Sequence, residues 1–414
     1  MISRRVFLAR GGLAMVSLGF APSFLARTVR AAPDRRRRQL LVAIFQRGAV
    51  DGLNVVVPFG EQAYYQERPG IAIPAPGRGD QSALSLDGFF GFHPRLAPLQ
   101  PLWQSHSLAI VHACGSPDST RSHFDAQDFM ETATPGVKTT SDGWLNRCLQ
   151  AERDPGRSPL RAVALAPTLP RTLEGGAPAL TLNNVDRFGL HAGPLSSNLT
   201  EAFEAEYAAA GGPMGTAADD GFEAMKLMAA ANPAQYTPAA GVEYPSSPFG
   251  RALQQVAQLA RADVGLEIAF AELGGWDTHV NQGSAAGQLA GRLDDFGRSL
   301  AAFTRDLGSR FADTVILTMS EFGRTVKENG NGGTDHGHGN AMLVIGGPVK
   351  GGKVYGRWPG LAVDQRYEGR DLAVTTDFRD VFAEIAVRHL GIGNASPIFP
   401  GFTVRPDHFP GFLA

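Results

Sequence analysis

Cysteine is scarce in this 414-residue chain: only Cys114 and Cys148 occur, and they show no Cys-x-x-Cys spacing. A cysteine metal cluster and a thioredoxin-like motif are therefore excluded. The even count leaves a disulfide and two buried thiols equally open, because spacing cannot establish that the two meet. Long apolar runs are also missing. The stretch from Gly11 to Leu25 is broken by Ser17, Pro22 and Ser23 and falls short of the ~20 apolar residues that a spanning helix needs. Neither sign of charge dominates, and the formal net charge is −2. The first 31 residues carry five arginines and no acid, so the remainder holds 33 basic against 40 acidic residues. A mildly acidic chain is a poor general nucleic-acid binder. The basic run Arg35–Arg38 reads as a solvated tail. No Gly-x-Ser-x-Gly elbow follows a strand, since Gly115-Ser116-Pro117 lacks the second glycine; a Ser-His-Asp hydrolase is disfavoured. Neither a Walker-type Gly-Lys-Ser/Thr nor a Gly-x-Gly-x-x-Gly in a βαβ setting is present, so nucleotide cofactors are unsupported.

What the sequence does hold begins at its N-terminus. Ser3-Arg4-Arg5-Val6-Phe7-Leu8 precedes the short apolar run, and small residues follow at Ala31 and Ala32. A basic n-region, a moderate apolar core and a small-residue cleavage site make residues 1–31 a signal peptide of the twin-arginine kind. The chain is thus expected in the periplasm or outside the cell, already folded when it crosses the membrane, with no stable membrane span.

The hydrophobic fraction of 43% and charged fraction of 19% are those of a globular protein. Five short apolar runs read as buried strands: Gln39–Gln46, Leu108–Ala113, Leu266–Ala271, Thr314–Met319 and Ala341–Ile345. Helical spacing appears over Ser122–Glu131, Ser197–Ala210, Phe249–Ala262, Gly283–Ser309 and Thr376–Leu390. Strands alternating with helices indicate an α/β fold with a doubly wound, mostly parallel sheet flanked by helices. Residues 39–414 are read as one such domain. The stretch from about 150 to 250, rich in Ala, Pro and Gly, fits an insertion or cap.

In doubly wound sheets, chemistry gathers beyond the carboxyl ends of the strands. Polar clusters follow the apolar runs here: Asp51 after the first, Gly274-Gly275-Trp276-Asp277-Thr278-His279, and Ser320-Glu321-Phe322-Gly323-Arg324-Thr325. Gly333-Thr334-Asp335-His336-Gly337-His338-Gly339-Asn340 is the densest, and Thr120-Arg121-Ser122-His123-Phe124-Asp125 opens a helix. Imidazole and carboxylate together suit a divalent metal. An isolated Asp-x-His pair is more often structural. Ser122, three residues before Asp125, also suits an N-cap.

Five segments taken as a set resemble the DUF1501 family: Phe45–Asn54, Arg121–Asp128, Gly275–His279, Ser320–Thr325 and Asp335–Gly339. Its members are exported bacterial proteins of unknown function, placed in the alkaline phosphatase-like, or sulfatase-like, superfamily. The resemblance implies an alkaline phosphatase-like domain and a set of roles. Asp51 is the acid after the first strand, and Ser122 the hydroxyl nucleophile at a helix start. Asp277 and His279 bind one metal, completed by His336 or His338, and Glu321 belongs to the other metal position. Two departures stand out. Phe322 replaces a metal-binding His, and Asp-x-His replaces a wider spacing.

The resulting expectation is an exported metal-dependent hydrolase of phosphate, phosphonate or sulfate esters. Its divalent metal would be zinc, calcium, manganese or magnesium. Ser122 would attack, and Arg324 would hold the ester or serve as an ion-pair partner of Glu321 or Asp335. His123 would replace Ser122 as the reactive group or bind metal. The rival expectation, favoured by Phe322, is an inactive relative that binds an envelope glycan or an exported partner protein.

Overall fold

The computed structural model describes residues 39–151, 158–185, 212–231 and 235–414. The signal segment and the predicted helix Ser197–Ala210 lie outside the described residues, as does much of the predicted insertion.

In chain order the strands are Leu40–Arg47 (β1), Val56–Val57 (β2), Leu84–Ser85 (β3), Gly91–Phe92 (β4), Leu108–Gly115 (β5), Ala162–Leu165 (β6), Leu180–Thr181 (β7), Ile268–Gly274 (β8), Thr314–Met319 (β9), Asn340–Gly346 (β10), Lys353–Tyr355 (β11) and Thr376–Asp377 (β12). Among the described residues, nine of them form one sheet in the order β11-β5-β10-β9-β1-β8-β6-β7, with β12 also beside β5; β2, β4 and β3 make a small second sheet. All pairings in the large sheet are parallel except those of β10, which runs antiparallel to β5 and β9. The fold is therefore α/β with a mostly parallel central sheet, as the alternating pattern indicates.

Continuous apolar strands follow from burial on both faces. Alternate side chains of β1 enter different cores. Leu40, Val42 and Ile44 pack with Leu253, Val256, Leu293, Phe296 and Leu300 on one face. These belong to Pro248–Arg261 (α3) and Gln288–Asp306 (α4). Leu41, Ala43 and Phe45 pack with Trp144, Cys148, Phe378 and Phe382 on the other. Those come from Trp144–Ala151 (α2) and Phe378–Glu384 (α5). Cys114 and Cys148 are buried in this second core as thiols, with no disulfide between them.

β1 is flanked by β9 and β8. The chain returns from β1 to β5 on one side and to β6 on the other, which makes the carboxyl end of β1 the switch point where such sheets open a crevice.

Three histidines are neutral members of this interior. His93, His112 and His389 each donate Nε2–H to a carbonyl, of Ser284, Val56 and Leu40 respectively. Burial holds each of them down at about 4. Their unfolded-state value is about 6.5, so between pH 6.5 and 4 the unfolded chain binds protons that the folded one refuses. Stability is fully present above pH 6.5 and falls as pH drops toward 4. Urea unfolding midpoints should decline over that interval. A flat profile from pH 7 to 4.5 would contradict the neutral assignment.

Candidate metal centre

The site forms where the loops after β1, β8 and β9 meet the start of His123–Thr132 (α1) and the Gly-rich loop before β10. Because β10 is antiparallel, its leading loop lies at the carboxyl rim of the parallel strands. Close backbone approach needs glycine at two points. Gly48 has φ +113°, and a Cβ there would come within 2.9 Å of the Asp277 amide nitrogen. At Gly333 a Cβ would lie 2.4 Å from the His279 carbonyl.

Arg324 ties these loops together. Its side chain is fully buried. Nε donates to the Ala49 carbonyl at 2.6 Å, Nη1 to that of Thr334 at 3.1 Å, and Nη2 to that of Trp276 at 3.2 Å and to Asp277 Oδ1 at 2.5 Å. Gly48 O accepts from Nη2 as well. The β1, β8 and Gly-rich loops are thus held by one guanidinium. Its partner is Asp277, neither Glu321 nor Asp335, and with these bonds made it has no fork left to offer an ester.

Three imidazoles converge on the Asp277 carboxylate. Nε2 of His279 lies 3.0 Å from Oδ1, Nε2 of His336 lies 3.3 Å from Oδ1, and Nε2 of His123 lies 3.5 Å from Oδ2. The His279 and His336 Nε2 atoms are 2.9 Å apart. Each ring is fixed from behind through Nδ1. His123 Nδ1 meets Glu321 Oε1 at 2.8 Å, His279 Nδ1 meets Asp335 Oδ1 at 3.1 Å, and His336 Nδ1 donates to the Arg121 carbonyl at 2.8 Å. Such anchoring leaves Nε2 as the free lone pair, the arrangement found around metal-binding histidines. His123, Asp277 and His336 each offer a ligand atom within 4.8 Å of the others. The His123 Nε2 is buried and makes no hydrogen bond.

Electrostatics sharpen the picture. Burial alone would raise Asp277, but the Arg324 hydrogen bond and charge outweigh it and hold the carboxyl below its ordinary value. Burial also opposes ionisation of Glu321, yet hydrogen bonds from His123, Gln127 and the Gly48 amide keep it low. The bond to Glu321 pushes His123 up, and burial pushes His336 down.

The other predicted residues stand elsewhere. Glu321 is fully buried and grips His123 from behind. Asp51 is buried against Arg68 Nη1 at 2.6 Å and accepts from Gln282 Nε2 at 2.7 Å. Gln282 Oε1 in turn accepts from Thr278 and Thr334, the residues beside Asp277 and Asp335, so Asp51 supports the site from the second layer. Ser122 is the exposed N-cap of α1, its Oγ 3.5 Å from the Asp125 amide. His338 is buried and stacks on Tyr367 with ring centres 4.2 Å apart. Phe322 packs tilted against both His123 and His336, walling one side with carbon. Sequence reasoning missed Gln282 and Arg68. Neither sits in a recognisable motif, and each reaches Asp51 across more than ten residues.

The family described as "Protein of unknown function (DUF1501)" matches residues 103–394. The chain belongs to that family. The matched span of this DUF1501 protein includes His123, Asp277, His279, Glu321, Arg324, His336 and His338, while β1 and Asp51 precede it. No curated protein matches the chain in sequence. Among solved structures, a crystal structure of the PsFucS1 sulfatase from Pseudoalteromonas sp. is similar at 13% identity and a TM-score of 0.40, covering 95% of this chain and 75% of that one.

Removing the Arg324 fork should expose how much depends on it. Arg324→Met takes the guanidinium away from Asp277 and from four carbonyls, and is expected to lower stability by roughly 3–5 kcal/mol in chemical denaturation. A loss under ~1 kcal/mol would show that the loops hold themselves.

Proposed function

We propose that this protein is an exported metal-dependent hydrolase of phosphate, phosphonate or sulfate esters, with one divalent cation held by His123, Asp277 and His336. The observation that carries the reading is the convergence of ring-anchored imidazole nitrogens on one carboxylate, with the His123 Nε2 buried and unpartnered. Two imidazoles suit zinc, and the carboxylate admits manganese. Bound there, such an ion supplies Lewis acidity toward an ester oxygen and acidifies water.

The chain's own groups then divide the remaining work. Glu321 orients His123, the Arg121 carbonyl orients His336, and Arg324 keeps Asp277 ionised. Asp277 is the one carboxylate facing the centre, and Arg324 offsets its charge, so the pocket favours an anionic group. His279 is assigned the proton. It is 39% exposed, is backed by Asp335, and can give a proton to the departing alcohol. Ser122 is assigned the cap of α1, which aims the His123 end of that helix at the cluster. Placement in the alkaline phosphatase-like superfamily is part of the same proposal, as is twin-arginine export to the periplasm or beyond, resting on Arg4-Arg5. Among the described residues, no helix is long and apolar enough to cross a membrane.

A second reading has a specific observation behind it. Phe322 walls the site and Arg324 is engaged by loop carbonyls and Asp277, which fits a relative that binds a glycan or partner protein without turnover.

Metal analysis should give about one zinc or manganese per chain. Asp277→Ala and His336→Ala should lose metal and turnover of p-nitrophenyl phosphate or sulfate together. His279→Gln should keep the metal while turnover falls roughly 10²–10⁴-fold. Protein that retains no ion after loading with zinc, manganese, magnesium or calcium, and turns over neither ester, would hand the case to the binding reading.

A further inference from the structure

Arg47 is the last residue of β1, and its guanidinium crosses to α1. Nη1 donates to Gln127 Oε1 at 3.0 Å and to Glu131 Oε1 at 2.8 Å, both on α1. Nε donates at 2.5 Å to Oε2 of Glu272, on β8. The same group lies over the Phe45 ring, 4.4 Å from its centre. Glu131 is pinned in turn, its Oε2 accepting from the Thr172 amide at 2.9 Å. One cation is thus held by β1, β8 and α1 together.

Gln127 passes that position on, because its Nε2 donates to Glu321 Oε1 at 2.8 Å. A guanidinium has only donors and a carboxylate only acceptors. The amide between them therefore has a single satisfactory orientation, carbonyl toward Arg47 and NH2 toward Glu321. Glu321 Oε1 also accepts from the Gly48 amide at 2.8 Å and lies 2.8 Å from His123 Nδ1. Facing an acceptor, Nδ1 carries the hydrogen, which leaves the lone pair on Nε2, the atom that faces Asp277. Turned over, the Gln127 amide would set its carbonyl oxygen against the Glu321 carboxylate and break the set.

We infer that Arg47 is a positioning residue of the metal centre: through the Gln127 amide it holds Glu321 in place and so fixes the tautomer of His123. Its consequence for metal binding rests on the single-cation reading, since only a lone pair on Nε2 can ligate there. The route Arg47–Gln127–Glu321–His123 runs through contacts of 3.0 Å or less at every step. Arg47 touches none of the proposed ligands itself and acts in series with Gln127.

Two readouts on the full folded chain test this. One is zinc affinity by chelator competition. The other is the His123 tautomer in metal-free protein carrying isotope-labelled histidine, read from its nitrogen shifts and assigned with His123→Gln. Arg47→Met and Gln127→Met should each weaken zinc about tenfold. The double variant should be no weaker than the poorer single one, because the two act in series. Arg47→Lys keeps a donor for the amide and should recover part of the affinity. Unaltered protein should show His123 in the Nδ1–H form, and Arg47→Met should mix the two tautomers. Gln127→Met should mix them as well, which keeps the test decisive if Arg47→Met does not fold. Arg261→Met removes an ion pair to buried Asp306 at the end of α3; it should lower stability and leave both readouts unchanged. If the unaltered chain takes up no zinc, the metal reading falls and the tautomer comparison alone decides the role of Arg47. Unaltered protein without the Nδ1–H form, an Nδ1–H form that survives either substitution, or single losses of zinc affinity that add in the double variant, overturns the inference.

Discussion

One guanidinium holds the functional rim of this molecule in register. Arg324 sits on the loop after β9, yet its donors serve carbonyls of the β1 loop, the β8 loop and the Gly-rich loop before β10. Each of those carbonyls lies outside the strands of the sheet. Buried carbonyls without donors are costly, and a charged donor with a planar fork satisfies several at fixed angles. The same group binds Asp277. Loop geometry and the charge state of the central carboxylate are thereby one interaction. Neither could drift without the other.

Around that clamp the histidines are organised in two layers. The inner layer is Nε2 atoms facing Asp277; the outer is Glu321, Asp335 and the Arg121 carbonyl, which fix the rings by Nδ1. Glu321 depends in turn on the Gly48 amide and Gln127, so the turn after β1 and the second turn of α1 both set the plane of His123. The outer layer sets the orientation of the inner one. A carboxylate in the outer layer also tunes what it holds: the bond from Glu321 makes the His123 nitrogen a stronger base.

How far this was legible in the sequence follows from the range of each interaction. The five strand runs were legible because a strand buried on both faces must be continuously apolar, a purely local signature. Thr314–Met319 has the same limits in sequence and structure. The cap at Ser122 was legible for the same reason, since a cap and its helix lie within four residues. The family resemblance joins Asp277 and His279 to His336 or His338; His336 is the one that meets them, while His338 stacks on Tyr367. Roles were harder. Glu321 looks like a ligand in sequence, being a carboxylate after a strand, but a nearby imidazole turns it into an anchor. Arg324 looks like a substrate-binding arginine; only the folded loops reveal that their carbonyls consume it. Asp51, the acid that the family resemblance puts beside the metal, lies one layer back, bound by Arg68 and Gln282.

Asp51 illustrates why a buried ion pair persists where it adds little net stability. Desolvating a carboxylate and a guanidinium costs about as much as their attraction returns. What the pair adds is a fixed point. Arg68 also donates to the carbonyls of Thr325 and Val326, so it anchors the chain just beyond Arg324. Asp51 passes the constraint to Gln282, whose amide oxygen takes the hydroxyls of Thr278 and Thr334, beside Asp277 and Asp335. A hydrophobic replacement could fill the space, yet it could not dictate where Thr278 and Thr334 must stand. Phe322 completes the logic from the opposite side. Its ring closes the cluster with carbon, directing every available lone pair toward Asp277. With that wall on one flank and Asp51 held by Arg68 and Gln282 behind, the groups left facing one another are the three imidazoles and Asp277, the set that the proposed single-cation site requires.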